Sequence, residues 1–495
     1  MGFKVDTSFL RFLTMGAVGV RSTMDYLRRE GFEPIELERY CASNKIWMTK
    51  VKRLRLPDVL CARTGLRVEV RAKSDLKIRM SDAPNNPDRR WDAGLRDDDV
   101  VAFVACDGGG DQVKVLGPPV CVLAGDLRAT VDATKFGPPK SASEGAERDR
   151  EWKSTVPSRD GEVLEVFPSK VVTQLDSGRR QTYQLGGKFV YVAPGDRFTG
   201  GASMIAGAVP RLAPLAAAKA GVWDPVARLQ DSHAVDRYAA AKAIPHHDPG
   251  SRARAALVAA MRLEAEDRVA LEMAASLAWL GVDAGLDHLV TTVWSHERGD
   301  MRMEAVLILT ELGTPSAAME LKRVAIAPDF EGDELRQAAT WGLGREGCRA
   351  YGELIDLIGD EDHDVALHAI AAFGGDAPRK IVLELVKVVQ HGAPRQRAAA
   401  SEALRLIDSQ QVLHALIDAA RGSEGARPWV VATLGRLDPV SVRQTLAGDS
   451  LLVEVEPLLT LGPKENWLAA AEAAEDLRFL LLQRLPRAPD GATAS

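Results

Sequence analysis

The 495-residue chain has no apolar run of 18 residues free of charge or of Gly and Pro clusters, so no segment reads as a membrane span. The start, Met1–Arg11, lacks the apolar core of a signal peptide. The five cysteines (Cys41, Cys61, Cys106, Cys121 and Cys348) include no CxxC pair, so neither a disulfide framework nor a zinc knuckle is indicated. A reducing cytoplasm is the expected compartment. Histidine is missing before His233, which excludes a Ser-His-Asp triad, a His nuclease site and a His-based zinc site from everything upstream. No GxxxxGK[ST] occurs, so the chain is not a P-loop ATPase by itself. Aromatics are only 5%, and glycine and proline follow no fixed period, so the chain is not collagen-like. What remains, 46% hydrophobic and 27% charged, is globular, and the length suggests about three domains.

Charge is distributed unevenly. Residues 1–91 hold 19 Lys/Arg against 11 Asp/Glu, a balance of +8, whereas residues 221–440 hold 23 against 33, a balance of −10. The basic block suits a polyanion, and the acidic block argues against nucleic acid tracking along it.

The acidic half is a repeat array. Segments of the type D-x-x-x-R/A-x-x-A-x-x-x-L recur at Asp231–Pro245, Glu266–Gly281, Gly299–Gly313, Gly332–Gly347, Asp362–Gly374, Pro394–Asp408 and Ala426–Pro439. Each ends at a Gly or Asp/Pro breaker, and a second apolar helix follows, such as Leu286–Trp294 or Ile381–Gln390. One such pair cannot bury its apolar stripe alone, so the pairs must stack. The pattern resembles the HEAT repeat family in its shorter form, which implies an α-solenoid over 221–445 and a protein partner. A helical cap (446–487) and a short tail (488–495) close the chain.

Between Asp160 and Ala208 the pattern changes to short strands, Glu162–Phe167, Lys170–Leu175, Gln181–Leu185 and Phe189–Val192, joined by turn chemistry. Val192-x-Pro194-Gly195-Asp196-x-x-x-Gly200 resembles the end of barrel-sandwich hybrid domains. Carriers of that fold present a lysine at a hairpin tip, but the tip here reads Ser177-Gly178-Arg179-Arg180, so residues 160–210 are expected to be a small β spacer or docking module. Residues 131–159 are expected to be a linker.

The first 130 residues predict an α/β domain: a helix near Met15–Glu30 stopped by Gly31, then strands at Pro34–Glu38, Leu56–Ala62, Leu66–Lys73, Val100–Cys106 and Gln112–Leu116. A two-residue loop at Arg63-Thr64 would set Asp58 directly opposite Glu69, and a three-residue loop with Gly65 left-handed would shift them by one position but leave them adjacent. Opposed carboxylates destabilise a sheet unless something positive sits between them, and a divalent cation is the obvious occupant. Alternation puts Glu69, Arg71 and Lys73 on one face and Val68, Val70 and Ala72 on the other. Two carboxylates beside cationic side chains suit metal-assisted phosphodiester hydrolysis.

Pro57-Asp58, ten residues, then Glu69-Val70-Arg71-Ala72-Lys73 resembles the PD-(D/E)XK nucleases, the restriction-endonuclease-like superfamily. The resemblance implies that Asp58 and Glu69 ligate Mg²⁺ or Mn²⁺, with the backbone carbonyl of Val70 completing the site. The family's lysine stands two residues after the glutamate, where this chain has Arg71. Either Lys73 reaches in, Arg71 substitutes, or the site is inactive. A solvated Glu-x-Arg-x-Lys strand face is the bland alternative.

Around the motif, Lys45–Trp91 holds 13 Lys/Arg against 5 Asp/Glu. Lys45, Lys50, Lys52, Arg53, Arg55, Lys77, Arg79, Arg89 and Arg90 are candidate phosphate contacts, largely sequence-blind. Trp47 and Trp91 are base-stacking surfaces if exposed and core if not. His246-His247-Asp248 and Glu361-Asp362-His363-Asp364 fall between repeat helices and are expected to be solvated loops or caps. The sequence thus predicts three parts: a restriction-endonuclease-like domain, a small barrel-sandwich-like module and a HEAT-like array. Its expected activity is Mg²⁺- or Mn²⁺-dependent cleavage of DNA. By the domain combination this implies prokaryotic defence, and a homodimer would serve cleavage of both strands. The alternative is a non-catalytic nucleic-acid-binding scaffold.

Overall fold

The computed structural model describes residues 7–37, 47, 49, 54–107, 113–139, 147–213, 215, 223–247, 250–330, 334–422 and 425–460. The chain has a sheet-rich N-terminal region and a helical-repeat C-terminal region. It divides into two compact units, Met1–Met301 and Arg302–Ser495.

In the first unit, strands β1 (Pro34–Glu36), β2 (Val59–Cys61) and β3 (Arg67–Lys73) form one sheet with β5 (Val100–Ala105) and β6 (Val120–Leu123), in the order β1-β2-β3-β5-β6. Strands β3 and β5 run parallel, and the other pairs are antiparallel. Helix α1 (Thr7–Arg29) presents Met15, Gly19, Thr23 and Leu27, four residues apart, to the sheet. A Cβ at Gly19 would sit 2.6 Å from the Cβ of Ala72, so glycine is what lets helix and strand touch here. The face under α1 is apolar: Val59, Cys61, Val68, Val70, Val100, Ala102 and Val104. The expected last strand, Gln112–Leu116, is not the sheet's edge. Val115 makes a bridge to Cys106, and the edge is β6, followed by helix α2 (Ala124–Ala129).

Residues 131–159, expected as a linker, carry strands instead. Strand β4 (Arg79–Asp82) pairs with β8 (Arg148–Glu151), and β8 pairs with β7 (Lys135–Pro139). Neither Arg-Asp-Arg-Glu nor Lys-Phe-Gly-Pro-Pro alternates apolar with polar residues, so neither signals a strand locally. Trp152 is buried edge-on against Trp91 at 5.0 Å and donates its indole N–H to the Leu127 carbonyl at 3.1 Å. Strand β9 (Ser154–Thr155) pairs with β15 (Ala206–Gly207). Tyr191, Met204 and Val209 share one core with Val101, Phe103, Trp91 and Trp152. The N-terminal region, expected to end at residue 130, therefore shares its core with later residues, through Val209 in this cluster and Leu215 in the one under α1.

Strands β10 (Gly161–Val166), β11 (Lys170–Leu175), β12 (Arg180–Gln184) and β14 (Arg197–Phe198) form a second sheet in the order β12-β11-β10-β14. A short third sheet runs β13-β15-β9, with β13 at Phe189–Val190. Val163, Val171, Leu175, Leu185, Phe198, Ile205 and Ala206 fill the module's interior.

Helices α3 (Pro225–Arg228), α4 (Ala234–His247), α5 (Ser251–Leu263), α6 (Asp267–Trp279) and α7 (Asp283–Ser295) complete the first unit, and the division falls inside α8 (Gly299–Leu312). The second unit holds α9 (Pro315–Ala325), α10 (Glu334–Leu343), α11 (Tyr351–Leu357), α12 (His363–Ala371), α13 (Arg379–His391), α14 (Pro394–Ile407), α15 (Gln410–Gly422), α16 (Arg427–Leu434), α17 (Pro439–Thr445) and α18 (Leu451–Leu459). There α10, α12, α14, α16 and α18 pack in series, each on the next. Four arginines near the starts of repeat helices pair with acids further along the chain. Arg237 forks onto Glu264 with two 2.7 Å bonds, Arg268 meets Asp300 at 2.5 Å, Arg336 meets Asp360 at 2.6 Å, and Arg427 meets Glu454 at 2.7 Å. The expected cap and tail lie outside the described residues beyond Thr460.

Helices α6 and α7 touch backbone to backbone. A Cβ at Gly285 would meet the Ala274 oxygen at 2.4 Å and the Ala278 nitrogen at 2.5 Å. Backbone atoms cannot swing aside, so Gly285→Ala should lower stability by about 1–3 kcal/mol or more. A urea unfolding midpoint unchanged from wild type would refute this contact.

Candidate active site on the N-terminal sheet

Strands β2 and β3 pair with Val59 opposite Val68 and Leu60 opposite Arg67. This is the register expected for a hairpin centred between Arg63 and Thr64, although the loop is longer than two residues. Cys61 N–H donates to the Leu66 carbonyl at 2.7 Å, and Gly65, at φ 71°, donates to the Cys61 carbonyl at 2.9 Å. Both loops share one centre, so the register is the same.

Continued along the strands, this register sets Asp58 across from Glu69 and Pro57 across from Val70. Proline has no N–H and ends the ladder. The Asp58 side chain takes over: Oδ2 accepts the Val70 N–H at 2.7 Å, while the Asp58 carbonyl accepts from Leu37 at 2.9 Å. A strand residue's N–H and C=O point to the same neighbour. The Val70 carbonyl therefore faces the Asp58 side, where Pro57 has no N–H to offer it. Two carboxylates and one backbone carbonyl form an all-oxygen donor set, the kind that hard divalent cations take. On donor chemistry, these residues fit such an ion.

Glu69, Arg71 and Lys73 lie on the face away from α1, as alternation requires. Glu69 is only 8% exposed. Arg71 bends back onto it, with Nη2 2.7 Å from Oε1. The structure thus brings Asp58, Glu69, Val70 and Arg71 together. Lys73 stands at the far end of β3, one strand repeat beyond Arg71.

Arg67, two positions before Glu69 on the same face, was not singled out by the sequence. It is 4% exposed and donates to Asp236 on α4 at 3.0 Å, to Asp99 at 2.7 Å and to the Gly94 carbonyl at 2.6 Å. Arg96 also pairs with Asp236. Burial pushes the Asp99 carboxyl up from its ordinary value against the pull of Arg67, and burial together with Arg67 pulls Arg96 down. Beside this knot, Ala239 and Ala243 of α4 pack on Leu37, Leu60 and Ala62. The first repeat helix therefore covers the β1–β2 end of the face that carries Glu69. A cavity of about 210 Å³ remains between them, lined by Thr64, Gly65, Arg67, Arg96, Trp223 and Asp236 among others.

Asp231, His233 and Asp236 also gather, with one ligand atom from each inside 4.8 Å. Their spacing, Asp-x-His-x-x-Asp, was the available signal. Guanidinium groups already surround them: Arg228 binds Asp231 at 3.0 Å, and Arg67 and Arg96 hold Asp236. Both carboxylates are thus already paired with arginines. Of the two clusters expected to be loops or caps, Asp362 caps α12 by accepting from Asp364 and Val365, while His246 and His247 end α4.

Four of the five described basic candidates are paired with carboxylates. Lys77 pairs with Asp75 at 3.0 Å, Arg79 with Asp149 at 3.5 Å, Arg89 with Glu147 at 3.4 Å and Arg90 with Asp92 at 3.3 Å. Arg55 is exposed, and Lys45, Lys50, Lys52 and Arg53 lie outside the described residues. Trp47 and Trp91 are buried and offer no stacking surface. Cys61, Cys106 and Cys121 are buried free thiols, and burial pushes Cys121 up to about 12.

Residues 352–435 match the family model for HEAT repeats. No match to the sequence was found among curated proteins. Among solved structures, human deoxyhypusine hydroxylase in complex with glycerol is similar at 19% identity, covering 48% of this chain and 91% of its own, with a TM-score of 0.20. Two engineered proteins are similar at 16% and 18% identity. They cover 51% and 52% of this chain and 88% and 95% of their own, with TM-scores of 0.21 and 0.17. TM-scores this low lend no weight to a shared fold. No described helix is long and apolar enough to cross a membrane.

Proposed function

We propose that the N-terminal region is a nuclease of the PD-(D/E)XK type that cleaves DNA with Mg²⁺ or Mn²⁺, and that the HEAT repeats hold a protein partner. One observation carries the reading. Pro57 ends the ladder opposite Val70, and Asp58 turns its carboxylate to the Val70 N–H beside Glu69. Asp58, Glu69 and the Val70 carbonyl would hold the ion. When bound, such an ion supplies a water of lowered pKa and offsets charge on the phosphate. Glu69 and Asp58 fix the position of that chemistry on a strand buried among its neighbours. Arg71, a planar fork, suits clamping a phosphate oxygen, whereas Lys73 suits orienting the attacking water.

The second reading is a non-catalytic nucleic-acid-binding scaffold. It is favoured by the ion pair of Arg71 with Glu69, which already occupies a carboxylate that the cation would need. The deciding experiment incubates the whole protein with plasmid, single-stranded DNA and RNA, in Mg²⁺, in Mn²⁺ or in chelator. Nicking or linearisation of the plasmid that chelator abolishes is the expected result. Binding without cleavage under every condition would establish the scaffold instead.

A further inference from the structure

We propose that Arg71 is the built-in counter-cation of Glu69, so that a divalent cation and a phosphodiester bind this site cooperatively, each taking one partner of the ion pair. The inference rests on the reading of Asp58 and Glu69 as cation ligands and adds how that site is loaded. Three observations lead to it. Glu69 is nearly buried, and its Oε1 lies 2.7 Å from Arg71 Nη2. The Asp58 carboxylate is fixed by the Val70 N–H, so it stays beside Glu69 whatever Arg71 does. The Arg71 side chain is 37% exposed and its buried Nε has no acceptor among the described residues, so the guanidinium can turn from Glu69 toward an incoming phosphate.

A cation approaching Glu69 alone must displace a guanidinium, or accept that positive charge at close range. Both weaken its binding. A phosphodiester approaching alone finds Arg71 already committed to a carboxylate. When both arrive, the cation takes Glu69 and the phosphate takes the freed fork, which matches a tetrahedral anion in two bonds. Neither charge is left unpaired. Coupling of this kind is reciprocal and typically amounts to about 5–150-fold in affinity. A lysine two residues after the glutamate carries a point charge instead of a fork and would compete differently, so the behaviour belongs to the arginine this chain carries.

The test is Mn²⁺ binding to the whole protein, followed by electron paramagnetic resonance of free Mn²⁺, with and without dimethyl phosphate at constant ionic strength. Wild type should bind Mn²⁺ about tenfold more tightly with dimethyl phosphate present. Arg71→Gln should bind Mn²⁺ more tightly than wild type when no phosphate is present, and dimethyl phosphate should no longer change its affinity. Arg71→Lys should retain part of the coupling, and Asp58→Asn should bind weakly throughout. Equal Mn²⁺ affinity with and without dimethyl phosphate in wild type, unaltered in Arg71→Gln, would overturn the proposal while leaving the cation site standing. Absence of Mn²⁺ binding in wild type and Arg71→Gln alike would overturn both the proposal and the nuclease reading beneath it.

Discussion

Asp58→Ala and Glu69→Ala are each expected to reduce metal-dependent cleavage by at least about 100-fold, because loss of a mere outer partner of a metal ligand already costs 10–100-fold. The two variants should differ in stability. Asp58→Ala removes the bond to the Val70 N–H at the end of the β2 ladder, a loss of about 1.5–3 kcal/mol for a charged acceptor. Glu69→Ala removes the carboxylate that Arg71 pairs with, but the Arg71 side chain is 37% exposed and can turn to water, so the loss of stability should be smaller than for Asp58→Ala. Single-turnover cleavage and urea unfolding, measured side by side, separate the effects. Two well-folded variants cutting at the wild-type rate would show that the carboxylates do no chemistry.

The largest effect on stability is expected at Arg67. Replacing it with methionine leaves Asp99 and Asp236 buried with less positive charge, and breaking a buried pair on one side costs about 3–5 kcal/mol. The deficit should depend on pH. Asp99 already sits above its ordinary value through burial, and losing Arg67 raises it further. A carboxyl raised in the folded state contributes stability while protonated and loses it as pH climbs through the folded pKa. The gap between Arg67→Met and wild type should therefore be widest at alkaline pH and narrow as pH falls toward the ordinary carboxylate range. Adding Asp99→Asn should recover part of the loss and flatten the dependence. A pH-independent gap between Arg67→Met and wild type would mean that lost packing, not unpaired charge, sets the cost.

The hairpin was legible in the sequence to within one residue, since a two-residue and a three-residue loop differ by one position, and the structure selects the register centred between Arg63 and Thr64. The repeats were legible because the D-x-x-x-R/A-x-x-A-x-x-x-L pattern recurs along the chain, each time ending at a breaker. Arg67 was not legible, since its partner Asp236 lies 169 residues away and neither residue stands out among its neighbours. The basic surface misled for a related reason. Glu147 and Asp149, which pair with Arg89 and Arg79, come from a stretch whose polar strands carry no periodic signal. Arg71 was correctly placed on the face of Glu69, but composition cannot say whether an arginine points toward a substrate or toward the carboxylate beside it.

The long reach from Arg67 to Asp236 also bears on how the protein is made. A ribosome adds about 5–20 residues each second, so β3 leaves it roughly 8–34 s before the aspartate that neutralises Arg67. Through that interval the nascent sheet lacks α4, and Leu37 and Leu60 lack the alanines that will cover them. Such late, non-local closure makes for slow folding and prolonged exposure of apolar strand surface. Nascent chains of this protein are thus expected to depend on holding chaperones until the first repeat helix has emerged.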